Sequence, residues 1–432
     1  MVKSDIIDCE KGEHMKYYYF ENETYNLYTI ETPKFKSGHM EVVFKTKATK
    51  ENITYLSVLM GVLFENTKEY PTRKLLSRKL CDLYNVTLNG STSRVGDTLI
   101  TNATIDFLDP KYTDNTTLEE TIKLLFDVIL NPNADSVEFD EATFERIKRT
   151  IANEIESVKE DPKQSSILGA FKELGEDDVR SFSAIGDMNI LNEITPRKLY
   201  KFYLDFLNTS PRDVYLIGNL DMKMMNKMIR KYAKFKTIVS LDTNIYLPNI
   251  FVKKSKASSV DSNLTQANFV QIYSFVNMTD RERDYVVPLF NMLWGSGSLE
   301  SKLYKSLRSE NSLCYNVNTY YQKYDRVIVL HTAIDEDKTT LTTKLILKAL
   351  ASIKKGVVEE EELENVKNQL ETSLYLSLDS PDRLIDLYVF KNLVGLSDIE
   401  TRIDEIRKVT LDEIIAVSKK MRLVLSYRMR GE

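Results

Sequence analysis

The sequence predicts an α+β protein of two homologous lobes, each a mainly antiparallel sheet with helices packed on one face, and we expect the lobes to enclose a cleft. Three observations support this fold class. The chain has 432 residues, more than one hydrophobic core usually supports. A series of sequence features occurs twice in the same order. In each copy, β-rich segments come before a run of amphipathic helices.

The repeat is visible as short matching stretches. The first copy contains Ser77-Arg-Lys-Leu80, then Tyr84-Asn-Val86, then a β-rich segment at 98–106. The second contains Ser301-Lys-Leu303, then Tyr315-Asn-Val317, then a β-rich segment at 326–335. Any one of these matches is weak, but chance does not easily preserve their order. We therefore interpret the chain as two copies of one α+β unit.

Long amphipathic stretches follow in both copies, because their apolar residues recur at spacings of three and four. They are predicted as helices at 118–130 and 144–158 in the first copy, and at 341–353 and 361–376 in the second. Each tract ends at an acidic-proline break, since proline and its preceding residue resist helix continuation.

A capped helix and a short strand close each copy. Thr195 and Thr410 are predicted N-caps, and the β-rich segments at 214–217 and 423–426 follow the two helices. The order of elements is thus the same in both halves of the chain.

These patterns divide the chain into three parts. We expect an N-terminal lobe at 1–236, a linker with the first strand of the second lobe at 237–263, and a C-terminal lobe at 264–432. The linker contains Pro248 and several serine and lysine residues. Its lysines are typical of a solvated connection, although they could also attract an acidic partner.

Composition excludes several functional classes. Hydrophobic residues make up 42% and charged residues 28% of the chain, and the net charge is -5, with no basic patch of the kind that binds nucleic acid. The longest apolar stretch, at 56–64, is far shorter than the roughly 20 residues that span a membrane. We therefore expect neither a nucleic-acid partner nor a membrane partner.

The location of the protein is predicted from its start and its cysteines. Residues 1–14 are polar and acidic, which is unlike a secretory signal. The three cysteines, Cys9, Cys81 and Cys314, are odd in number and far apart, which favours a reducing compartment. Both observations predict a cytoplasmic protein.

Four motifs carry a family resemblance. They are Leu63-Phe-Glu-Asn-Thr67, Leu88-Asn-Gly-Ser-Thr-Ser-Arg94, Gly295-Ser-Gly-Ser-Leu-Glu-Ser-Lys-Leu303, and Arg308 with Tyr315 seven positions later. Together they resemble the pitrilysin/insulinase family, the inverted-motif zinc peptidases, and in particular a bacterial subgroup. In that family a His-x-x-Glu-His helix precedes the first motif, and the last two motifs belong to the non-catalytic half.

The resemblance places the zinc motif at positions that cannot bind zinc. Ser57 and Gly61 stand at the histidine positions and Met60 at the general base. Glu154 falls at the third ligand, although its interval from Gly61 is longer than usual. Zinc hydrolysis needs two imidazoles, a carboxylate and a base beside the bound water, so we expect no catalytic residue, no metal and no cofactor.

The remaining histidines do not replace the motif. His14, His39 and His331 are isolated in the sequence, and no pair has a spacing that would put both rings on one helical face. Each is predicted to be a structural or surface residue.

The resemblance also implies peptide binding. In relatives an extended peptide adds a strand beside the step that corresponds to Asn89-Gly90, and the Arg and Tyr that correspond to Arg308 and Tyr315 reach towards it. The alternative is that Arg308 and Tyr315 only pack and hydrogen-bond within their own turn. Both interpretations stay open from the sequence.

Three functions follow from these observations. The first is a catalytically inactive, peptide-binding or regulatory subunit that pairs with a His-x-x-Glu-His homologue or with itself and takes peptide or unfolded polypeptide. The second is an active zinc endopeptidase with non-standard or partner-shared ligands. The third is a structural or assembly protein. The missing zinc motif favours the first.

Overall fold

The computed structural model describes residues 2–8, 14–236, 245–295 and 299–431. Three features of the sequence lie outside these residues: Cys9, the first part of the predicted linker at 237–244, and Ser296 to Ser298 of the glycine-rich motif. The side chain of His14 is not among the described ones either.

Twelve strands are present among the described residues. They are β1 (Val2–Asp8), β2 (His14–Glu21), β3 (Asn26–Glu31), β4 (Ser37–Lys47), β5 (Thr87–Val95), β6 (Thr98–Leu108), β7 (Arg212–Gly218), β8 (Lys256–Leu264), β9 (Ala267–Phe275), β10 (Val317–Gln322), β11 (Val327–Ile334) and β12 (Met421–Gly431).

Fourteen α-helices accompany them in the same residues. They are α1 (Lys50–Leu63), α2 (Arg73–Asp82), α3 (Thr117–Leu130), α4 (Glu141–Glu160), α5 (Pro162–Lys172), α6 (Met188–Glu193), α7 (Pro196–Thr209), α8 (Met222–Tyr232), α9 (Val287–Trp294), α10 (Thr339–Lys354), α11 (Glu360–Ser377), α12 (Pro381–Val394), α13 (Ile399–Arg407) and α14 (Leu411–Lys420). Two π-helical turns, Glu282–Val286 and Tyr304–Ser309, lie in the second half.

The two sheets repeat one strand order. The first sheet runs β1-β2-β3-β7-β4-β6-β5 and the second β10-β11-β9-β12-β8. Apart from β1 and β2, each strand of the first sheet has a counterpart in the second, and the single parallel pair, β3 with β7 or β8 with β12, recurs at the same place. The remaining pairs are antiparallel. The predicted α+β fold class, with two homologous units, is confirmed.

The helix starts follow from local capping. Thr195 accepts a hydrogen bond from the Lys198 amide at 3.2 Å, and Thr410 forms a capping box with Glu413. At both acidic-proline breaks the proline opens the next helix, because its fixed φ suits the first turn. The breaks at Asp161-Pro162 and Ser380-Pro381 therefore separate α4 from α5 and α11 from α12.

The chain folds into two compact units. The first contains Met1–Glu156, Ser183–Asn244 and Asp379–Val389, and the second contains Ser157–Phe182, Ile245–Leu378 and Phe390–Glu432. Each unit thus includes a short segment from the opposite half of the chain. The lobes predicted from the sequence are continuous stretches of chain and therefore do not include these segments from the opposite half.

In the second unit, the segment from the first half of the chain packs on the sheet. Ala170 and Phe171 of α5 pack in one cluster with Val270 and Ile272 of β9 and with residues of β11 and β12. The next residue along β9, Tyr273, points to the opposite face of the sheet. There its ring centroid lies 5.2 Å from that of Trp294 of α9. All nine residues of β9 are buried in consequence, so α5 adds a second covered face to this sheet.

Candidate functional site

The degenerate zinc positions lie on α1. Thr49 caps this helix by accepting from the Asn52 amide at 3.0 Å. Ser57 and Gly61 are half-buried and one turn apart, and Met60 is buried with 7% of its surface exposed. The helix therefore presents a hydroxyl, a thioether and a bare backbone where the family resemblance implies imidazole, carboxylate and imidazole.

The space beside Gly61 is occupied by α4. A Cβ built on Gly61 would lie 2.6 Å from Cγ2 of Ile147. The two helices run antiparallel here, because Asn66 donates to Thr143 at 3.0 Å and Arg146 donates to Glu65 at 2.8 Å. A histidine at position 61 would have to displace a branched side chain that packs directly against the helix.

Glu154 does not rescue a metal site. It lies on α4, two turns beyond Ile147, with its side chain exposed. In the described ranges no group of three or more His, Cys, Asp or Glu residues is placed to hold a metal ion. The residues at the degenerate motif therefore do not fit a zinc ion.

Asn89 and Gly90 lie on the edge strand β5. Within the described part of the chain β6 is the only strand that pairs with β5, in an unbroken register from Thr87 opposite Asp106 to Val95 opposite Thr98. Asn89 is exposed, whereas Gly90 is half-buried under the Phe64 ring. A Cβ on Gly90 would lie 2.5 Å from a ring atom of Phe64. The end of α1 thus rests on the strand at a position that admits no side chain.

The exposed side of β5 continues into a polar face of the first sheet. Residues paired in neighbouring strands share a face, and Tyr28, Tyr215, Glu41, Thr104 and Asn89 form one such row from β3 to β5. The Tyr28 and Tyr215 rings stack at 5.0 Å. Asn89 is therefore the outer end of a row that includes a buried carboxylate.

A charged cluster lies beside this row. His39 is 3% exposed, and its Nδ1 is 2.7 Å from Asp106 and its Nε2 3.5 Å from Glu41. Burial lowers the pKa of His39, but the hydrogen bonds and charges of Asp106 and Glu41 outweigh burial and raise that pKa to about 9. His39 is therefore an imidazolium that balances carboxylates within the sheet.

The sequence interpretation of His39 as an isolated residue missed this cluster. His39 and Glu41 alternate along β4, which points both side chains to one face, and this was the signal available in the sequence. Asp106 could not be added without the register of β4 against β6. His331 is indeed structural: its Nε2 is 3.0 Å from Asn268 Oδ1, and burial lowers its pKa to about 4.

Arg308 and Tyr315 contact each other in the second unit. The Arg308 guanidinium lies 5.1 Å from the centroid of the Tyr315 ring and donates to the Cys314 carbonyl at 3.2 Å. Tyr315 is 78% exposed, and Arg308 lies in the π-helical turn that precedes it. Arg308 thus holds its own turn, while the ring of Tyr315 remains open to solvent.

Comparison with known proteins shows which proteins the chain is similar to. Residues 193–370 match the peptidase M16 inactive domain. "Probable inactive metalloprotease YmfF" of Bacillus subtilis (strain 168) is 23% identical over 411 residues, which cover 93% of this chain and 95% of YmfF. The chain is thus similar to inactive proteins of the M16 peptidase group. The resemblance to the pitrilysin/insulinase family, without its zinc motif, is confirmed.

Solved structures share the fold of this chain. A conserved protein from Enterococcus faecalis V583 has a TM-score of 0.90 at 23% identity, covering 96% of this chain and 99% of that one. A peptidase M16 inactive domain from Pseudomonas fluorescens has a TM-score of 0.76 at 14% identity, covering 96% and 98%. None of the helices in the described residues is long and apolar enough to cross a membrane.

Proposed function

We propose that this chain binds an extended peptide along β5 without hydrolysing it, and that it does so as a subunit beside a His-x-x-Glu-His homologue. The observation that carries the proposal is the edge strand β5, nine residues long and paired only with β6 among the described residues. An edge strand presents unpaired N–H and C=O groups to which an incoming strand can bond.

The edge also lacks the features that usually prevent strand addition. Natural edges are protected by lysine, proline, bulges or short length. β5 contains no lysine and no proline, and its register against β6 has no irregularity. Its exposed side chains are small and uncharged: Thr87, Asn89, Ser91 and Ser93. These features support main-chain recognition of a peptide rather than of one particular side chain.

Hydrolysis is excluded from the proposal by the chemistry of α1. A zinc peptidase uses the metal to acidify a water and a nearby carboxylate to accept its proton. Met60 has no group that accepts a proton, and Ile147 occupies the space beside Gly61. Tyr315, in the second unit, is proposed as a separate peptide contact, which its exposed ring permits.

Paired proline substitutions test strand addition. Successive residues of an edge strand point their N–H groups alternately into the sheet and away from it. Of Ser91→Pro and Thr92→Pro, one should therefore keep the melting temperature and lose peptide binding, and the other should destabilise the sheet. Fluorescence anisotropy with an unstructured labelled peptide measures binding. Unchanged binding in whichever variant stays folded would reject β5 as the site.

Affinity purification at native expression level tests the partner. Mass spectrometry of co-purifying chains should recover a His-x-x-Glu-His homologue, and the complex should cleave peptide while the isolated chain does not. Recovery of the chain alone would reject the subunit proposal while leaving peptide binding to the proline test.

A further inference from the structure

The first unit contains a cavity of about 690 Å³ at the C-terminal ends of α3, α7 and α8. We call it the helix-end cavity; it is completed by the segments that follow α3 and α8. Its volume lies in the range of small-molecule sites, about 300–1,000 Å³. The described residues that line it belong to neither α1 nor β5. The helix-end cavity is therefore separate from the strand at which peptide binding is proposed.

The wall of the helix-end cavity is largely aromatic. Phe126 of α3 and Phe235, which follows α8, pack edge to face with their ring centroids 6.2 Å apart. The rings of Tyr200 and Tyr203 on α7 lie 5.8 Å apart, and the Tyr203 hydroxyl already donates to a carbonyl of α3 at 3.0 Å. Leu204, next to Tyr203, is exposed in the same cavity. A flat aromatic ligand would gain apolar contact against this wall.

Lysine is the main charged residue of the helix-end cavity. Four lysines line it, namely Lys68, Lys231, Lys234 and Lys236. Lys231 forms an ion pair with Glu119 at 2.6 Å. The other three form no ion pair with a carboxylate among the described residues. Single exposed lysines are common on any protein surface, but these three border one apolar cavity.

The carboxylates of the helix-end cavity do not balance these lysines. Asp127 pairs with Lys123, which is not a lining residue, at 3.1 Å. Asp135 accepts from the backbone amides of Val137 and Glu138 at 2.6 and 2.8 Å, and these hydrogen bonds lower its pKa, so it stays charged. Three unpaired lysines against this one carboxylate leave an excess of two positive charges.

A buried cation lies behind the aromatic wall. Arg212 of β7 is 5% exposed, and its guanidinium lies 4.7 Å from the centroid of the Phe235 ring. It donates to the carbonyls of Leu207 and Ser210, both at 2.8 Å, but its Nη1 has no hydrogen-bond partner. Burial lowers the pKa of Arg212 to about 10, which leaves it charged near neutral pH. Its charge adds to the positive potential at the cavity.

We propose that the helix-end cavity binds an aromatic carboxylate, with the ring against the aromatic wall and the carboxylate among Lys68, Lys234 and Lys236. The lysine ammonium is a compact charge on a flexible stem, so it can follow a small anion at the rim of a cavity. A neutral ring of the same shape would gain the apolar contact but would leave the lysines uncompensated. The proposal goes beyond peptide binding at β5 and shares no residue with it.

Calorimetric titration of the full chain with naphthoate tests the proposal, with naphthamide as the neutral ligand of the same shape. We expect saturable naphthoate binding and about tenfold weaker naphthamide binding, because the amide loses the charged hydrogen bonds to lysine. Added salt should weaken the binding of naphthoate and not that of naphthamide. Absence of naphthoate binding, or equal affinity for the two ligands, would overturn the proposal.

Lysine substitutions test the place of the carboxylate. Lys68→Gln and Lys234→Gln should each weaken naphthoate binding about threefold, and the double variant about tenfold, while naphthamide binding stays unchanged. Lys223→Gln is the matched control, since it removes an exposed lysine of α8 that does not line the cavity. Equal naphthoate affinity in the double variant and in this control would show that these lysines do not bind the anion.

A bulky side chain in the cavity tests the place of the ring. Leu204→Trp should abolish the binding of both ligands and keep the melting temperature, because Leu204 is 41% exposed. Met224→Trp, at a residue of α8 that is 46% exposed and outside the lining, should leave both affinities unchanged. If Leu204→Trp does not fold, the lysine variants still decide the question. Naphthoate binding that persists in folded Leu204→Trp, or falls equally in both tryptophan variants, would reject the cavity as the site.

Discussion

Gly61 of α1 has no side chain, and a side chain from α4 fills the space beside it. Ile147 fills the space that a Cβ on Gly61 would enter, at a separation of 2.6 Å. Interiors are packed to nearly crystalline density, so this pair is a packing unit rather than a vacancy. Restoring single zinc ligands would thus meet a steric obstacle before any metal could bind.

A double-mutant cycle at these two residues measures the obstacle. Gly61→Ala should destabilise the protein by about 1–3 kcal/mol, because the new methyl group overlaps Ile147. Combined with Ile147→Ala, the two substitutions should cost less than their sum. Denaturant unfolding provides the free energies. Strict additivity would show that the two residues do not pack together.

His39 makes stability depend on pH. Its folded-state pKa of about 9 lies above the ordinary value of 6.5, so its contribution is complete below about pH 6.5 and is lost as pH rises through 9. The free energy of unfolding should fall by up to roughly 3 kcal/mol across that window. Urea unfolding at several pH values measures it.

The control for His39 is the other buried histidine. His39→Asn should remove the slope between pH 6.5 and 9. His331→Asn should leave it, because burial lowers the pKa of His331 to about 4 and its ring is already neutral in this window. A slope that survives His39→Asn would assign the titration to another group.

Residue-level prediction from sequence depends on local motifs. The resemblance of Leu63-Phe-Glu-Asn-Thr67 to the family's turn predicts Ser57, Met60 and Gly61 as the degenerate zinc positions. It could not identify Ile147, since the choice of side chain that fills a space depends on how two helices pack. His39 was missed for the same reason, because its main partner Asp106 is 67 residues away.

At the level of elements, the sequence predicts features that depend on neighbouring residues but not those that depend on long-range packing. The caps at Thr195 and Thr410 and the proline breaks lie within a few residues of the helices they start, and the sequence predicts them. The place of α5 depends on contacts with strands about 100 residues later in the chain. Its apolar residues indicate burial but do not indicate which sheet they cover.

Substitution of Phe171 tests the place of α5. Phe171 is 3% exposed in the cluster with β9, so Phe171→Ala should cost about 3–5 kcal/mol. Phe251→Ala is the matched control, since Phe251 is 77% exposed and its loss should cost less than about 0.5 kcal/mol. Thermal or urea unfolding compares the two variants. Equal small effects would show that α5 is not part of this core.

For the whole molecule, the sequence predicts two copies of one unit and the structure confirms them, with matching strand orders in the two sheets. What the repeat could not reveal is the exchange of 157–182 and 379–389 between the units. A repeat detected in sequence is continuous by construction, whereas a compact unit is defined by which segments pack together in space.

Expression of residues 264–432 alone tests the proposed lobe boundary. This fragment lacks α5, which packs on Val270 and Ile272 of β9. The exposed apolar face should make it aggregate or bind a hydrophobic dye, and co-expression with 1–263 should restore solubility. A fragment that is monomeric and unfolds cooperatively on its own would establish the continuous lobe as an independent domain.

We expect the chain to bind peptide without cleaving it. One sample tests it: the purified chain is mixed with an unstructured labelled peptide, binding is followed by anisotropy, the peptide is weighed by mass spectrometry, and zinc is measured in the same protein. We expect saturable binding, an intact peptide and far less than about half an equivalent of zinc, since functional sites hold the metal tightly. Cleavage that a chelator abolishes, with close to one equivalent of zinc, would contradict it.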